Sequence, residues 1–265
     1  MHEAQAATAA DAHFPAALRR FRLARRMSQL ELALSCGVSA RHISFLETGR
    51  AQPSRDMVLT LADGLLLPRG TANSLLRAAG FAPAFPASAL HSAALEPFRQ
   101  VLREMMERHA PYPAILCDRR WTVLELNASA EALLAPLAPE GGGALNLIRM
   151  LTDHPAAASF ILNHAEMVEE MRARLALEAL EAGDDPEHHA LLQALTRAAA
   201  RYPEHPARAR QPVVPLVLQT PAARLQLLSA VAQFGTSQDV TVRDLRLELF
   251  FPADEATREA LSRPA

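Results

Sequence analysis

Apolar residues recur at helical spacing through the first third of the chain. Gln29, Leu32, Ala33 and Cys36 fall at i, i+3, i+4 and i+7, which is one face of a helix. Ser28 precedes them, with Glu31 three residues on, a spacing that lets each side chain cap the other's backbone N–H. Gly37 closes this helix, because glycine enters the left-handed conformation at no steric cost. Ser39 caps a second helix over 40–47, which Gly49 ends. Upstream, Leu18, Phe21 and Leu23 give a basic helix over 15–26 its apolar side. Downstream, Ser54 caps a helix with Asp56 in its first turn and Met57, Leu61 and Leu65 along its stripe. A break at Pro68 and Gly70 leads into a short helix that ends at Gly80. The expectation is five helices in a small all-α domain.

The pattern changes after residue 96. An amphipathic helix over 97–109 carries Phe98, Leu102 and Met105 on one side. Two short apolar runs, 112–117 and 121–126, meet across Asp118–Arg119–Arg120 as a β-hairpin. Asn127 caps a helix over 128–134. Gly141–Gly143 forms a loop, and a short helix over 146–151 stops at Asp153–His154–Pro155. A long helix is expected from Ser159 to Glu181, stopped by Gly183, and Asp185–Pro186 starts another that runs to Arg201. Three strands close the chain. The first, 213–219, carries two prolines and reads as an edge strand. The second is 224–234. A loop, Gly235–Asp239, leads to the third, 240–251, where Leu245, Leu247, Leu249 and Phe251 alternate with Asp244, Arg246 and Glu248. Two strands, several helices and three strands is the order of a PAS-like antiparallel sheet with helices on one face and a pocket between them.

The domains expected are therefore a disordered tail over 1–13, a helical domain over 14–80, a Pro- and Ala-rich linker over 81–96, a sheet domain over 97–255 and a C-terminal tail over 256–265. Phe81 and Phe85 suggest that the linker docks rather than floats. Half of the 265 residues are hydrophobic and 21% are charged, so the chain is globular. Its basic residues are all arginines. The net charge of −2 conceals an asymmetry: ten arginines face four acids between Phe14 and Gly80, a balance of +6 that leaves −8 elsewhere. A basic unit on an acidic body suits phosphate binding by the first part alone. Two cysteines, Cys36 and Cys117, make no disulfide framework and no metal spacing. The simplest compartment is a reduced cytoplasm. No signal peptide is expected at 1–13 and no membrane span anywhere. His188 and His189 are helical neighbours about 100° apart and cannot share a metal unaided. His154, His164 and His205 lack metal spacing too. No nucleophile elbow, carboxylate pair or phosphate loop is present, so neither enzyme activity nor a cofactor is expected.

Ile43 and Leu46 take the inner side of the second helix, which leaves Ala40, Arg41, Ser44 and Phe45 facing outward. Small residues allow close approach to DNA, and an arginine can bind guanine O6 and N7 bidentately. An ordinary helical hairpin with a solvated face has the same spacing. The pattern Q-x-x-L-A-x-x-x-G-V-S-x-x-x-I-S-x-x-E-x-G from Gln29 to Gly49 resembles the helix-turn-helix of XRE-type regulators, over residues 15–80. That resemblance implies that Gln29 holds a DNA phosphate. It implies that Ser39, Ala40, Arg41, Ser44 and Phe45 face the bases, and that Arg50 and Arg55 flank the backbone. It also implies an internal salt bridge between Arg22 and Glu47. Leu30 and Leu34 depart from the family pattern, standing where polar residues are common, which suggests cover by another domain or subunit.

The second half resembles the MmyB-like ligand-binding domain over about 97–255. The resemblance rests on Pro113–Leu116, Arg120–Asn127, Asn146–Arg149, Met171–Leu175, Asp185–Pro186, Phe234–Thr236 and Phe250–Asp254. It implies a pocket for a small apolar ligand of fatty-acid or acyl type. Candidate lining residues are Ile115, Val123, Leu133, Phe160, Met167, Met171, Leu227, Leu247, Leu249 and Phe251, all of which would serve equally as plain core. The reading is a ligand-sensing transcriptional regulator that binds a palindromic operator in double-stranded DNA as a homodimer. Half-sites would lie one helical turn, ~34 Å, apart. The alternative is a protein-interaction adaptor whose C-terminal domain only dimerises.

Overall fold

A computed structural model of the chain describes residues 14–139, 143–182, 185–202, 213–234 and 239–262. The tail expected at 1–13, Gly141–Gly142 of the glycine loop, the stop at Gly183, His205 and most of the 235–239 loop lie outside the described residues. The chain divides into two compact units, the first made of 1–87 together with 177–185 and 238–240, the second of 88–176, 186–237 and 241–265.

The first unit is five helices: α1 (Phe14–Ala24), α2 (Gln29–Cys36), α3 (Ala40–Glu47), α4 (Arg55–Gly64) and α5 (Arg69–Ala78). Its helix ends are set locally. Ser28 Oγ accepts from the Glu31 N–H at 3.1 Å, and Glu31 Oε2 accepts from the Ser28 N–H at 2.6 Å. This reciprocal cap holds the Glu31 carboxyl below the usual carboxylate range. Gly37 turns the chain at φ +66°. Ser39 and Ser54 cap α3 and α4. Leu18, Leu32, Ile43, Leu46, Leu61 and Leu75 fill the core between the helices. The start of the expected linker belongs to this unit, since Phe81 and Ala84 pack on the core. Asn73, buried on α5, accepts from the N–H groups of Ala84 and Phe85 and donates to the Phe85 carbonyl.

The second unit is a five-stranded antiparallel sheet with helices. Helix α6 (Glu96–Arg108) leads into β1 (Ala114–Cys117) and β2 (Val123–Leu126). Four helices follow: α7 (Ala128–Leu134), α8 (Leu147–Asp153), α9 (Ala157–Phe160) and α10 (His164–Ala182). Then come α11 (Pro186–Ala199), β3 (Leu216–Gln219), β4 (Arg224–Ala232), α12 (Val240–Asp244), β5 (Arg246–Pro252) and α13 (Glu255–Ser262). The strand order is β2-β1-β5-β4-β3. Helices α7 to α11 lie over one face, where Ile115, Leu227 and Phe250 point. Helix α6 covers part of the other, packing Leu102 and Met106 on Ala114, Leu116 and Leu247.

The structure departs from the sequence expectation in three places. The single helix expected over 159–181 is two, α9 and α10. Ile161 bridges to Leu218, and Asn163 accepts from the Val217 N–H and donates to the Pro215 carbonyl, so the intervening residues are stitched to β3 instead of continuing the helix. The expected strand start at 240–244 is the helical turn α12. The tail expected from 256 forms α13, anchored by a fully buried Thr257 whose hydroxyl accepts from the Gln226 N–H at 2.9 Å.

Candidate nucleic-acid interface and ligand cavity

In the first unit, α2 and α3 meet across the Gly37 turn, and α3 presents its outer face to solvent while Ile43 and Leu46 anchor it. Arg41 is exposed, and its guanidinium lies over the Phe45 ring, 5.1 Å from the centroid. Ala40, Ser44 and Phe45 are half-buried on the same face, and the capping Ser39 is exposed at the helix start. Arg50 and Arg55 are both exposed, one just past α3 and the other opening α4. Beneath this face lies a buried network. Arg22 Nε and Nη2 grip both oxygens of Glu47 at 2.6 and 2.9 Å, and Arg22 Nη1 donates to the Met27 carbonyl. Gln29 Nε2 donates to Glu47 Oε2 at 2.8 Å. Gln29 is thus tied to the carboxylate that ends α3, so its amide acts first as a positioning group. Burial pushes the Glu47 carboxyl up, but the Arg22 and Gln29 hydrogen bonds outweigh it and leave its pKa lowered. Arg19 adds to that field and lines a groove with Thr48 and Gly49. Sequence reasoning did not single it out, because the contact joins α1 to the end of α3. Leu30 and Leu34, one turn apart on α2, stand 59% and 73% exposed.

In the second unit, a cavity of about 130 Å³ lies between the sheet and α7–α10. Ile115, Leu133, Phe160, Met167, Met171 and Leu227 line it. Val123, Leu247, Leu249 and Phe251 do not. Leu247 and Leu249 pair with Leu116 and Ala114, on the sheet face that α6 covers, and Phe251 shares that side. Successive strand residues point to opposite faces, so β5 alternates as expected but turns its leucines away from the cavity. The cavity side of β5 is Arg246, Glu248 and Phe250.

Polar groups therefore meet an otherwise apolar cavity at one place. Arg174, Glu248, Ser229 and Trp121 all line it. Arg174 Nη2 donates to Glu248 Oε1 at 2.9 Å, and Glu248 is 3% exposed. Burial pushes the Glu248 carboxyl up, against the pull of Arg174, Arg246 and a hydrogen bond from Ser229. The Trp121 ring, at a residue with φ +64°, is contacted by the Arg174 guanidinium at 4.3 Å and that of Arg246 at 5.1 Å from its centroid. The Leu147 N–H donates to the Trp121 carbonyl, fixing this corner to the start of α8. Asn146 caps α8 and donates to the Arg120 carbonyl. Burial pushes the nearby Cys117 thiol up to about 12, so it is an inert core group at neutral pH. Among the described residues, no group of three or more His, Cys, Asp or Glu side chains could hold a metal ion, and no helix is long and apolar enough to cross a membrane.

Residues 98–263 match the MmyB-like transcription regulator ligand-binding domain, which is more than half of the chain. The chain belongs to this MmyB-like family. Residues 18–68 of this MmyB-like chain match a helix-turn-helix family. Its curated relatives include uncharacterized HTH-type transcriptional regulators of Mycobacterium tuberculosis and Mycobacterium bovis, each 42% identical over 64 residues. That stretch is 24% of this chain and 25% of each relative, so the match spans about a quarter of the relatives' length.

Proposed function

We propose that this MmyB-like protein is a cytoplasmic transcriptional regulator without catalytic activity, which binds a palindromic operator as a homodimer and is tuned by a small apolar ligand. The observation that carries the DNA reading is the outer face of α3, where Arg41 stands on Phe45 with the small residues Ala40 and Ser44, and the exposed Arg50 and Arg55 follow in the chain. Gln29 and the arginines would hold phosphates while Ser39, Ala40, Arg41, Ser44 and Phe45 meet base edges. The family's ligand-binding domain and the cavity over β4 and β5 support the sensor half of the proposal. A fatty-acid or acyl-like guest suits its apolar lining. Such a ligand shifts the DNA-binding equilibrium only by the difference in its affinity for the two states.

Arg41→Ala is expected to lower the ratio of operator to random-DNA affinity by about 5- to 150-fold, corresponding to about 1–3 kcal/mol of base discrimination. Weak binding that weakens steeply with salt should remain. Competition titrations at two salt concentrations measure both quantities. An unchanged ratio would remove Arg41 from base readout.

The exposed pair Leu30 and Leu34 favours a second reading, in which the helical unit is an adaptor for another protein. Absence of any DNA binding at low salt would select it.

A further inference from the structure

The cavity's ionisable lining consists of one cation and one anion already joined to each other. Among the described lining residues, only Arg174 and Glu248 carry charge, and they are 2.9 Å apart. Arg246 also packs on the Trp121 ring but does not line the cavity, and it lies in the fields of Asp244 and Glu248. A carboxylate head entering here would meet the Glu248 carboxylate beside the only guanidinium it could use. It would leave two anions sharing one cation inside an apolar wall, and a buried charge without its own partner is disfavoured. An uncharged head with an acceptor and a donor side by side has no such conflict. Its carbonyl can accept from Arg174 while its N–H or O–H donates to Glu248 or Ser229.

We infer that the cavity selects an acyl-type ligand whose head group is uncharged, such as an amide or a hydroxy-carbonyl group, over the corresponding free carboxylate. The Arg174–Glu248 pair is the selecting device, and Glu248 is its discriminating member. This rests on the ligand-sensing reading above and narrows it.

Trp121 is the single tryptophan of the chain and lines the cavity beside Arg174, so its fluorescence reports on this corner. The test titrates the full-length protein at pH 7.5 with decanamide and with decanoate, following Trp121 emission, with native mass spectrometry as a second readout. Decanamide is expected to bind at least about tenfold more tightly than decanoate. Glu248→Gln removes the competing carboxylate from the cavity wall while keeping the shape, and decanoate should become the better ligand. The wild-type comparison decides the matter even where that variant does not fold. Decanoate binding as tightly as decanamide to the wild type would overturn the head-group inference and leave the apolar cavity reading standing. No binding of either compound by both readouts would overturn the ligand-sensing reading and this inference with it.

Discussion

Glu47→Ala is expected to destabilise the helical unit by about 3–5 kcal/mol, because it removes one partner of a buried ion pair and strands the other. The side chains of Arg22 and Glu47 are 9% and 3% exposed, and the pair is gripped through both oxygens. The loss does not stop at Arg22, since Gln29 also donates one amide hydrogen to Glu47. Urea unfolding followed by helical circular dichroism measures it, and a cost under about 1 kcal/mol would place this pair with screened surface bridges. Operator binding should fall too, because Glu47 is the last residue of α3 and ties it to α1 and α2. The pH dependence has a definite sign. The folded pKa of Glu47 lies below its ordinary value of 4.5, so its contribution is complete above that value. It is lost as pH falls through the lower, folded value. Arg22→Ala with Glu47→Ala should cost less than the sum of the two single changes, as expected for partners in one network.

Leu247→Ala is expected to cost about 2–5 kcal/mol and to leave ligand affinity unchanged. Leu247 is fully buried, but its neighbours are Leu102, Met106 and Leu116 on the α6 side of the sheet. Leu227 is equally buried on β4 and lines the cavity instead. Leu227→Ala should therefore cost a similar amount while also changing the affinity for decanamide. Paired urea and binding titrations on the two variants test which face holds the ligand. A change in affinity with Leu247→Ala alone would reverse the assignment.

The helical unit was legible in the sequence because its signals are local. Ser28, Gly37, Ser39 and Ser54 each set a helix end through groups within three or four residues, and the core stripes follow from helical period. The five strands were legible for the same reason, as runs of apolar residues between turns. What the sequence obscured depends on distant partners. Arg246 and Glu248 alternate with leucines and look like a solvent face, yet both are buried, Glu248 bonded to Arg174 and Arg246 packed on Trp121. The break between α9 and α10 comes from Asn163 reaching β3, more than fifty residues on. Of the expected cavity residues, those on helices and on β1 and β4 line it, whereas β5 offered two apolar or half-apolar sides and no local sign of which one faces inward. The role of Gln29 as a tether to Glu47 was equally hidden, because the motif shows the residue and not its partner.

The stitching of Ile161 and Asn163 to β3 has a counterpart at the opposite edge, where Val123 donates to the Leu145 carbonyl and Thr122 bridges to Asn146. Both outer strands thus spend backbone groups on the chain's own loops. An incoming strand would find few unpaired amides to zip onto, which guards this sheet against runaway edge-to-edge polymerisation. Two copies that associate through this unit must do so by side-chain surfaces, on helices or on the sheet face beside α6, and not by extending one continuous sheet across both.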